Sequence, residues 1–138
     1  MKKIIICGSI SAADEIIEIM NKLELMGFEV EVPEGVKRRE IRDKPGDSEK
    51  ERADIKIKYD LIRGYFEKMK NYDAVLVVNP EKKNIRGYIG GNTLIEMAFA
   101  HILNKPLYVL YQVPDMQYTS EILAMNPIVL DGNLEMLK

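Results

Sequence analysis

Residues Lys3 to Ser9 read Lys-Ile-Ile-Ile-Cys-Gly-Ser, and this stretch decides the fold. A continuous β-branched run is typical of a strand buried on both faces, and the glycine after it ends the strand. Ser11 to Asp14 then has the spacing of a helix cap, and apolar residues recur at helical spacing until Gly27 ends the helix. Phe28 to Val32 is a second strand. A strand, a helix and a strand in this order predict parallel pairing with a right-handed crossover.

Strands and helices continue to alternate along the rest of the chain. The predicted elements are a long helix over 48–70 that opens with the capping box Ser48–Glu51, a strand at Ala74–Val78, a helix from the glycine pair Gly90–Gly91 to about Asn104, a strand at Leu107–Leu110, a short helix from Thr119 to Met125 and a strand at Ile128–Leu130. This alternation predicts an α/β protein with a single flavodoxin-like or Rossmann-like domain over residues 1–138. We expect a five-stranded parallel sheet in the order 2-1-3-4-5, flanked by helices.

The charged segment 33–47 interrupts this alternation. It is bounded by proline and glycine and is too long for a tight connection, so we expect a surface loop that is either a lid or disordered. Its basic side chains are interleaved with acidic ones, which favours a solvated loop over a phosphate clamp. The basic residues are Lys37, Arg38, Arg39, Arg42 and Lys44.

Composition excludes several classes of function. The chain has 138 residues, a formal net charge of −2 and one cysteine. This balance gives no general attraction to nucleic acid polymers or membranes, and a single cysteine rules out an intrachain disulfide and fits a reducing compartment. No apolar run has the length of a signal peptide or a membrane span, so a cytoplasmic location is expected. No His, Cys and carboxylate set has ligand spacing, so we expect neither a metal nor a cofactor.

Glu96 is conspicuous in the helix that follows the glycine pair. From Leu94 to Leu103 only Glu96 and His101 are polar, which predicts a helix buried on every side. An unpaired buried charge is costly, but a position in the first helical turn favours an ionised carboxylate. Glu96 is therefore a candidate nucleophile or anion-handling group. The alternative is that it caps its own helix at an exposed edge.

The predicted topology gathers polar segments at one edge of the sheet. Ligands of such sheets bind beyond the carboxyl ends of the strands, near the switch between strands 1 and 3. Two loops and Glu96 fall at this edge. The candidate substrate-binding residues are Gly8, Ser9, Ser11, Asn79, Tyr88, Gly90, Gly91 and Asn92. Each loop also has a plainer interpretation, as a strand-to-helix turn or a flexible connection.

Three segments together resemble the nucleoside 2-deoxyribosyltransferase superfamily, which includes the deoxynucleoside 5′-monophosphate N-glycosidases. They are Ile6–Ile10, Tyr72–Val77 and Gly90–Ala100, and their order and spacing agree over nearly the whole chain except 33–47. The resemblance implies that Glu96 is a catalytic nucleophile and that Asp73 helps to handle the base and its proton, although on local grounds Asp73 is a turn residue. It also implies a nucleoside or nucleotide as the small-molecule partner. A homodimer or higher homo-oligomer follows, because a neighbouring subunit completes the active site in these families.

The segment before Glu96 departs from that family. Gly90 stands where the transferases have aspartate and the glycosidases have serine, and the arginine of the glycosidases near Ser11 is missing. A phosphate, if one is bound, would therefore need another cation, and the 37–44 loop is the available source. Two alternatives remain open. One is a phosphoribohydrolase of the cytokinin-activating type, whose glycine-rich motif resembles Gly90–Glu96, and the other is a nucleotide-binding sensor module without catalysis.

Overall fold

The computed structural model describes residues 2–138, without the side chain of Arg39. Its strands are β1 Lys3–Cys7, β2 Glu29–Glu31, β3 Ala74–Val77, β4 Leu107–Val109 and β5 Ile128–Val129. They form one five-stranded sheet in the order β2-β1-β3-β4-β5, and every pair is parallel. The predicted α/β fold and strand order are thus confirmed.

Seven α-helices and two short 3-10 turns connect these strands within the described residues. The α-helices are α1 Ala13–Leu25, α2 Glu34–Lys37, α3 Arg39–Arg42, α4 Glu49–Lys58, α5 Leu61–Met69, α6 Gly91–Ile102 and α7 Thr119–Ala124, and the 3-10 turns are Ile10–Ala12 and Leu134–Leu137. Side chains of a strand alternate between the two faces of the sheet. Ile4 and Ile6 accordingly pack with α1 on one face, and Ile5 and Cys7 pack with α5, α6 and α7 on the other. The isoleucine run is buried on both faces, as its sequence predicts.

The start of α1 differs from the predicted helix cap. A 3-10 turn over Ile10–Ala12 precedes the helix, and neither it nor α1 has a side-chain cap. The hydroxyls of Ser9 and Ser11 instead hydrogen-bond to each other at 2.6 Å. The end of α1 is as predicted, because Gly27 follows it with a φ of +95°, a conformation that favours glycine.

The expectation for 33–47 is wrong over most of the segment. Residues 34–42 form α2 and α3, and Val36 and Ile41 are buried. Two isolated apolar side chains are enough to anchor the segment against the domain, although they give no periodic pattern in the sequence. Residues 43–47 lack regular structure, as do Pro33 before α2 and Arg38 between the two helices.

The predicted long helix over 48–70 is divided. Asp60 separates α4 from α5 and has a φ of +49°, which lies outside the helical region. The predicted N-terminus is confirmed, because the Ser48 hydroxyl accepts a hydrogen bond from the Glu51 N–H at 3.1 Å. Tyr65 and Met69 form the buried face of α5. The break at Asp60 separates α5, which packs on the sheet, from α4, which buries no residue.

Helix α6 is not buried on every side. Ile95 is 42% exposed and Ile102 is 74% exposed, while Thr93, Glu96, Met97 and Ala100 are buried. One face of the helix therefore packs against the sheet and the other carries apolar side chains on the surface. No helix among residues 2–138 combines the length and apolar character that crossing a membrane requires.

Candidate functional site

A cavity of about 140 Å³ lies at the carboxyl edge of the sheet, where β1 and β3 are neighbours. Its walls come from the turn after β1, the loop after β3 and the first turn of α6. The lining residues are Ser9, Ser11, Val78, Pro80, Glu81, Lys82, Tyr88, Gly90 and Thr93. The predicted edge of the sheet is therefore where the structure forms a cavity.

Four of the predicted site residues line this cavity, namely Ser9, Ser11, Tyr88 and Gly90. The others have different surroundings. Gly8 packs tightly, since a Cβ at this position would lie 3.0 Å from the carbonyl oxygen of Val78. Gly91 and Asn92 are exposed in the first turn of α6.

Asn79 holds the loop after β3 in place. It is 1% exposed, its amide donates to the carbonyls of Gly87 at 3.2 Å and Gln112 at 3.0 Å, and its Oδ1 accepts from the Tyr111 N–H at 2.9 Å. Both amide protons are thus used within the protein. The structure gives Asn79 a positioning role for the cavity wall rather than a place in the cavity.

Asp73 lies at the opposite edge of the sheet from the cavity. It immediately precedes β3, and its carboxylate accepts a hydrogen bond from the backbone N–H of Lys3 at 2.8 Å. This bond ties the start of β1 to the start of β3. Asp73 is therefore not brought together with the cavity residues.

Glu96 is buried in the second turn of α6, one turn beyond Thr93 on the same face. It is 6% exposed, and its Oε1 has no hydrogen-bond partner among the described residues. Its Oε2 receives a long 3.5 Å contact from the Asn92 amide, and the Cys7 thiol also acts on the carboxyl as a hydrogen-bond donor. Glu96 does not itself line the cavity. Thr93 and Glu96 are three residues apart and are both buried, so they share one face of α6, and Thr93 lines the cavity.

Burial raises the pKa of Glu96 to about 8, and the opposing influences of Cys7, Asn92 and Lys56 do not offset it. The prediction that Glu96 lies in the first helical turn and is ionised there is therefore wrong. Helix α6 begins at Gly91, so Glu96 lies beyond the reach of the free N–H groups, whose effect falls off within the first turn. Desolvation is the dominant influence, and it favours the neutral acid.

Two other buried groups surround this carboxyl. Burial and the neighbouring Glu96 raise the pKa of the Cys7 thiol well above its usual value. The same influences, together with Cys7, raise the pKa of Tyr65, whose hydroxyl donates to the carbonyl of Ile6. Both groups are therefore neutral neighbours of Glu96, and neither is poised as a base or a nucleophile.

The cation at the cavity is Lys82, which the sequence did not single out. Its backbone pairs with Ile85 in a tight turn, and its ammonium lies 5.6 Å from the centre of the Tyr88 ring. No described side chain of the 37–44 region, which was named as a source for this cation, lines the cavity. Within that region Lys37 pairs with Glu31 and Arg38 pairs with Glu34.

Thr93 was also missed, although it belongs to the quoted Gly90–Ala100 segment. It is 4% exposed and lines the cavity, and its hydroxyl has no hydrogen-bond partner among residues 2–138. Its position three residues before Glu96 on a helix is the signal that could have indicated it. No group of three or more His, Cys, Asp or Glu side chains in the described part of the chain is arranged to hold a metal ion.

Fold and site together define a single Rossmann-like α/β domain with a polar cavity at its topological switch point. Comparison with known proteins finds no matching family model, no matching curated protein and no matching solved structure. The function is therefore argued from the site alone.

Proposed function

We propose that this protein cleaves or transfers the N-glycosidic bond of a (2′-deoxy)nucleoside or its 5′-monophosphate, with Glu96 as the nucleophile. The observation that carries the proposal is the buried carboxyl of Glu96, whose Oε1 has no hydrogen-bond partner among residues 2–138 and which shares the buried face of α6 with the cavity residue Thr93. Leaving a buried carboxyl oxygen unsatisfied costs about 1–3 kcal/mol. A role in function explains why the chain keeps an unpaired carboxyl on the buried face of α6 despite this cost.

The reaction follows the logic of retaining glycosidases. A Glu96 carboxylate oxygen attacks C1′ of the sugar while the bond from C1′ to the base nitrogen breaks. The base leaves with that electron pair and takes up a proton. Water or a second base then attacks C1′ of the glycosyl ester, the carboxylate leaves, and the acceptor releases a proton as the product forms. Glu96 is regenerated as a carboxylate.

Ionisation of Glu96 sets the pH dependence of this chemistry. Only the carboxylate can attack, and with a pKa of about 8 about a tenth of the molecules are ionised at neutral pH. The carboxyl does not line the cavity, so its side chain has to turn toward Thr93 to reach C1′. Turnover is therefore expected to rise with pH and to level off above the pKa of Glu96.

The test is a panel of nucleosides and 5′-monophosphates, with and without a second base, analysed by chromatography for free or exchanged base. The unmutated chain is expected to release base, and Glu96→Gln is expected to abolish release. Glu24→Gln is the matched control, because Glu24 is exposed on α1, remote from the cavity lining. Undiminished release by Glu96→Gln would refute the proposal.

A second candidate function is a nucleotide-binding module that does not turn over its ligand. The observation that favours it is the absence of Glu96 from the cavity lining. This alternative predicts that a nucleotide binds, that Glu96→Gln leaves its affinity unchanged and that no base is released from any member of the panel.

A further inference from the structure

The cavity is too small for a whole nucleotide. Its volume is about 140 Å³, whereas sites that hold a complete small molecule measure about 300–1,000 Å³. It therefore accommodates one part of a ligand, and the remainder extends over the open edge of the sheet. Which part it accommodates follows from the chemistry of the lining.

The charged side chains of the lining are Lys82 and Glu81. Glu81 has its own cation, since Arg86 lies 3.9 Å from it. Lys82 makes no salt bridge with any other described side chain, and the turn that carries it is fixed by hydrogen bonds between its backbone and that of Ile85 at 2.9 and 3.1 Å. An ammonium is therefore held at the cavity without a carboxylate to neutralise it.

The turn after β1 and the start of α6 add hydrogen-bond donors to the lining. The hydroxyl of Thr93 is unpartnered within the described chain although the residue is nine-tenths buried. The backbone N–H of Thr93 likewise makes no hydrogen bond within residues 2–138, and no side chain caps it. Ser9 and Ser11 share one hydrogen bond, so one of the two hydroxyl protons remains available. The lining thus offers several free donors in addition to the ammonium of Lys82.

We propose that Lys82, Thr93 and the Ser9–Ser11 hydroxyl pair form an anion subsite that selects a 5′-phosphorylated substrate over the corresponding nucleoside. A tetrahedral phosphate accepts hydrogen bonds on every side and needs a cation, which this lining offers. A sugar or a base would also need acceptors, and the carboxylate of the lining already has its cation in Arg86. The inference rests on the proposed function for the nature of the substrate, and it identifies Lys82 as the residue that determines specificity.

The subsite takes its cation from outside the 37–44 region, where three of the basic side chains have partners of their own. Lys37 and Arg38 pair with Glu31 and Glu34, and Arg42 lies 3.6 Å from Asp14 on α1. Lys82 reaches the cavity from the loop after β3 instead. The loop is held by Asn79, so the ammonium is placed by the same contacts that shape the wall.

Calorimetric titration tests this proposal in the Glu96→Gln background, where turnover cannot interfere. The probes are inorganic phosphate, a set of 2′-deoxynucleoside 5′-monophosphates and the matching nucleosides. Lys82→Met is expected to weaken binding of the monophosphate roughly 10- to 100-fold, the loss typical of one charge-assisted hydrogen bond. Thr93→Val, which removes only the hydroxyl, is expected to weaken it several-fold, and melting curves confirm that each variant is folded.

Lys83→Met is the matched control for the lysine. Lys83 lies at the same 5.6 Å from the Tyr88 ring centre as Lys82, but it does not line the cavity. The control is expected to bind the monophosphate as tightly as the background chain. Equal losses in the two lysine variants, equal affinity for nucleoside and monophosphate, or no binding of any phosphorylated probe would each overturn the subsite.

The outcome for the subsite is separable from that for catalysis. Binding of the monophosphate that depends on Lys82, without base release by the unmutated chain, would refute the glycosidase and support the subsite. Base release from unphosphorylated nucleosides at a rate independent of Lys82 would support the glycosidase and refute the subsite.

Discussion

Replacing Glu96 by glutamine is expected to change how the free energy of unfolding depends on pH. Burial raises the pKa of this carboxyl in the folded chain to about 8, from an ordinary value of 4.5. A group whose pKa is raised on folding contributes its full stability below the unfolded pKa and loses it as pH rises toward the folded pKa. Between pH 5 and pH 8 the unmutated chain therefore loses about 3 to 4 kcal/mol through Glu96 alone, at about 1.4 kcal/mol per pH unit.

Urea unfolding at several pH values between 5 and 8 measures this loss. Glutamine does not titrate, so the unfolding free energy of Glu96→Gln minus that of the unmutated chain is expected to rise by the same amount over this range. Taking the difference removes the pH dependence of all other groups. A flat difference for Glu96→Gln would refute the raised pKa and with it the burial argument for this site.

Three further perturbations test the framework of the cavity. Asn79→Ala leaves buried partners unpaired and is expected to cost about 2 to 3 kcal/mol in urea unfolding. Gly87→Ala is expected to lower the free energy of unfolding more than Gly132→Ala. Both glycines have a positive φ, but only at Gly87 would a Cβ clash, because it would lie 2.1 Å from a carbonyl oxygen. A smaller loss of stability at Gly87 than at Gly132 would contradict this packing. Burial alone would raise the pKa of Glu34, but its contacts with Lys68, Arg38 and Lys37 outweigh burial and lower the pKa to about 2. Stability is therefore expected to fall as pH drops from about 4.5 toward 2, and Lys68→Met is expected to flatten this acid limb.

The fold was accessible from the sequence because its signals are local and repeated. The isoleucine run of β1 and the apolar run of β3 each indicate a strand buried on both faces, and the helices between them set the parallel order. The strand ends differ from prediction by at most one residue, and Val78 still donates to the carbonyl of Cys7 at 2.9 Å just beyond β3. Such boundaries depend on hydrogen bonds between segments that are distant in the chain.

What the sequence could not predict depends on tertiary packing. Val36 and Ile41 anchor the 34–42 helices, but two apolar residues in a charged segment give no recognisable period. The ionisation of Glu96 was misjudged for the same reason, since the burial that raises its pKa arises where α6 packs on strands that are distant from it in the chain. Lys82 is one of several loop cations in the sequence, and only the turn geometry places it at the cavity.

The central claim is that Glu96 forms a covalent glycosyl ester during turnover. The most direct measurement is mass spectrometry of the protein quenched in acid while it processes the nucleotide panel, followed by peptide mapping. The account predicts an added glycosyl or phosphoglycosyl mass on the peptide that contains Glu96, and no such mass in Glu96→Gln. Base release with the adduct on another residue, or at an undiminished rate in Glu96→Gln, would contradict it.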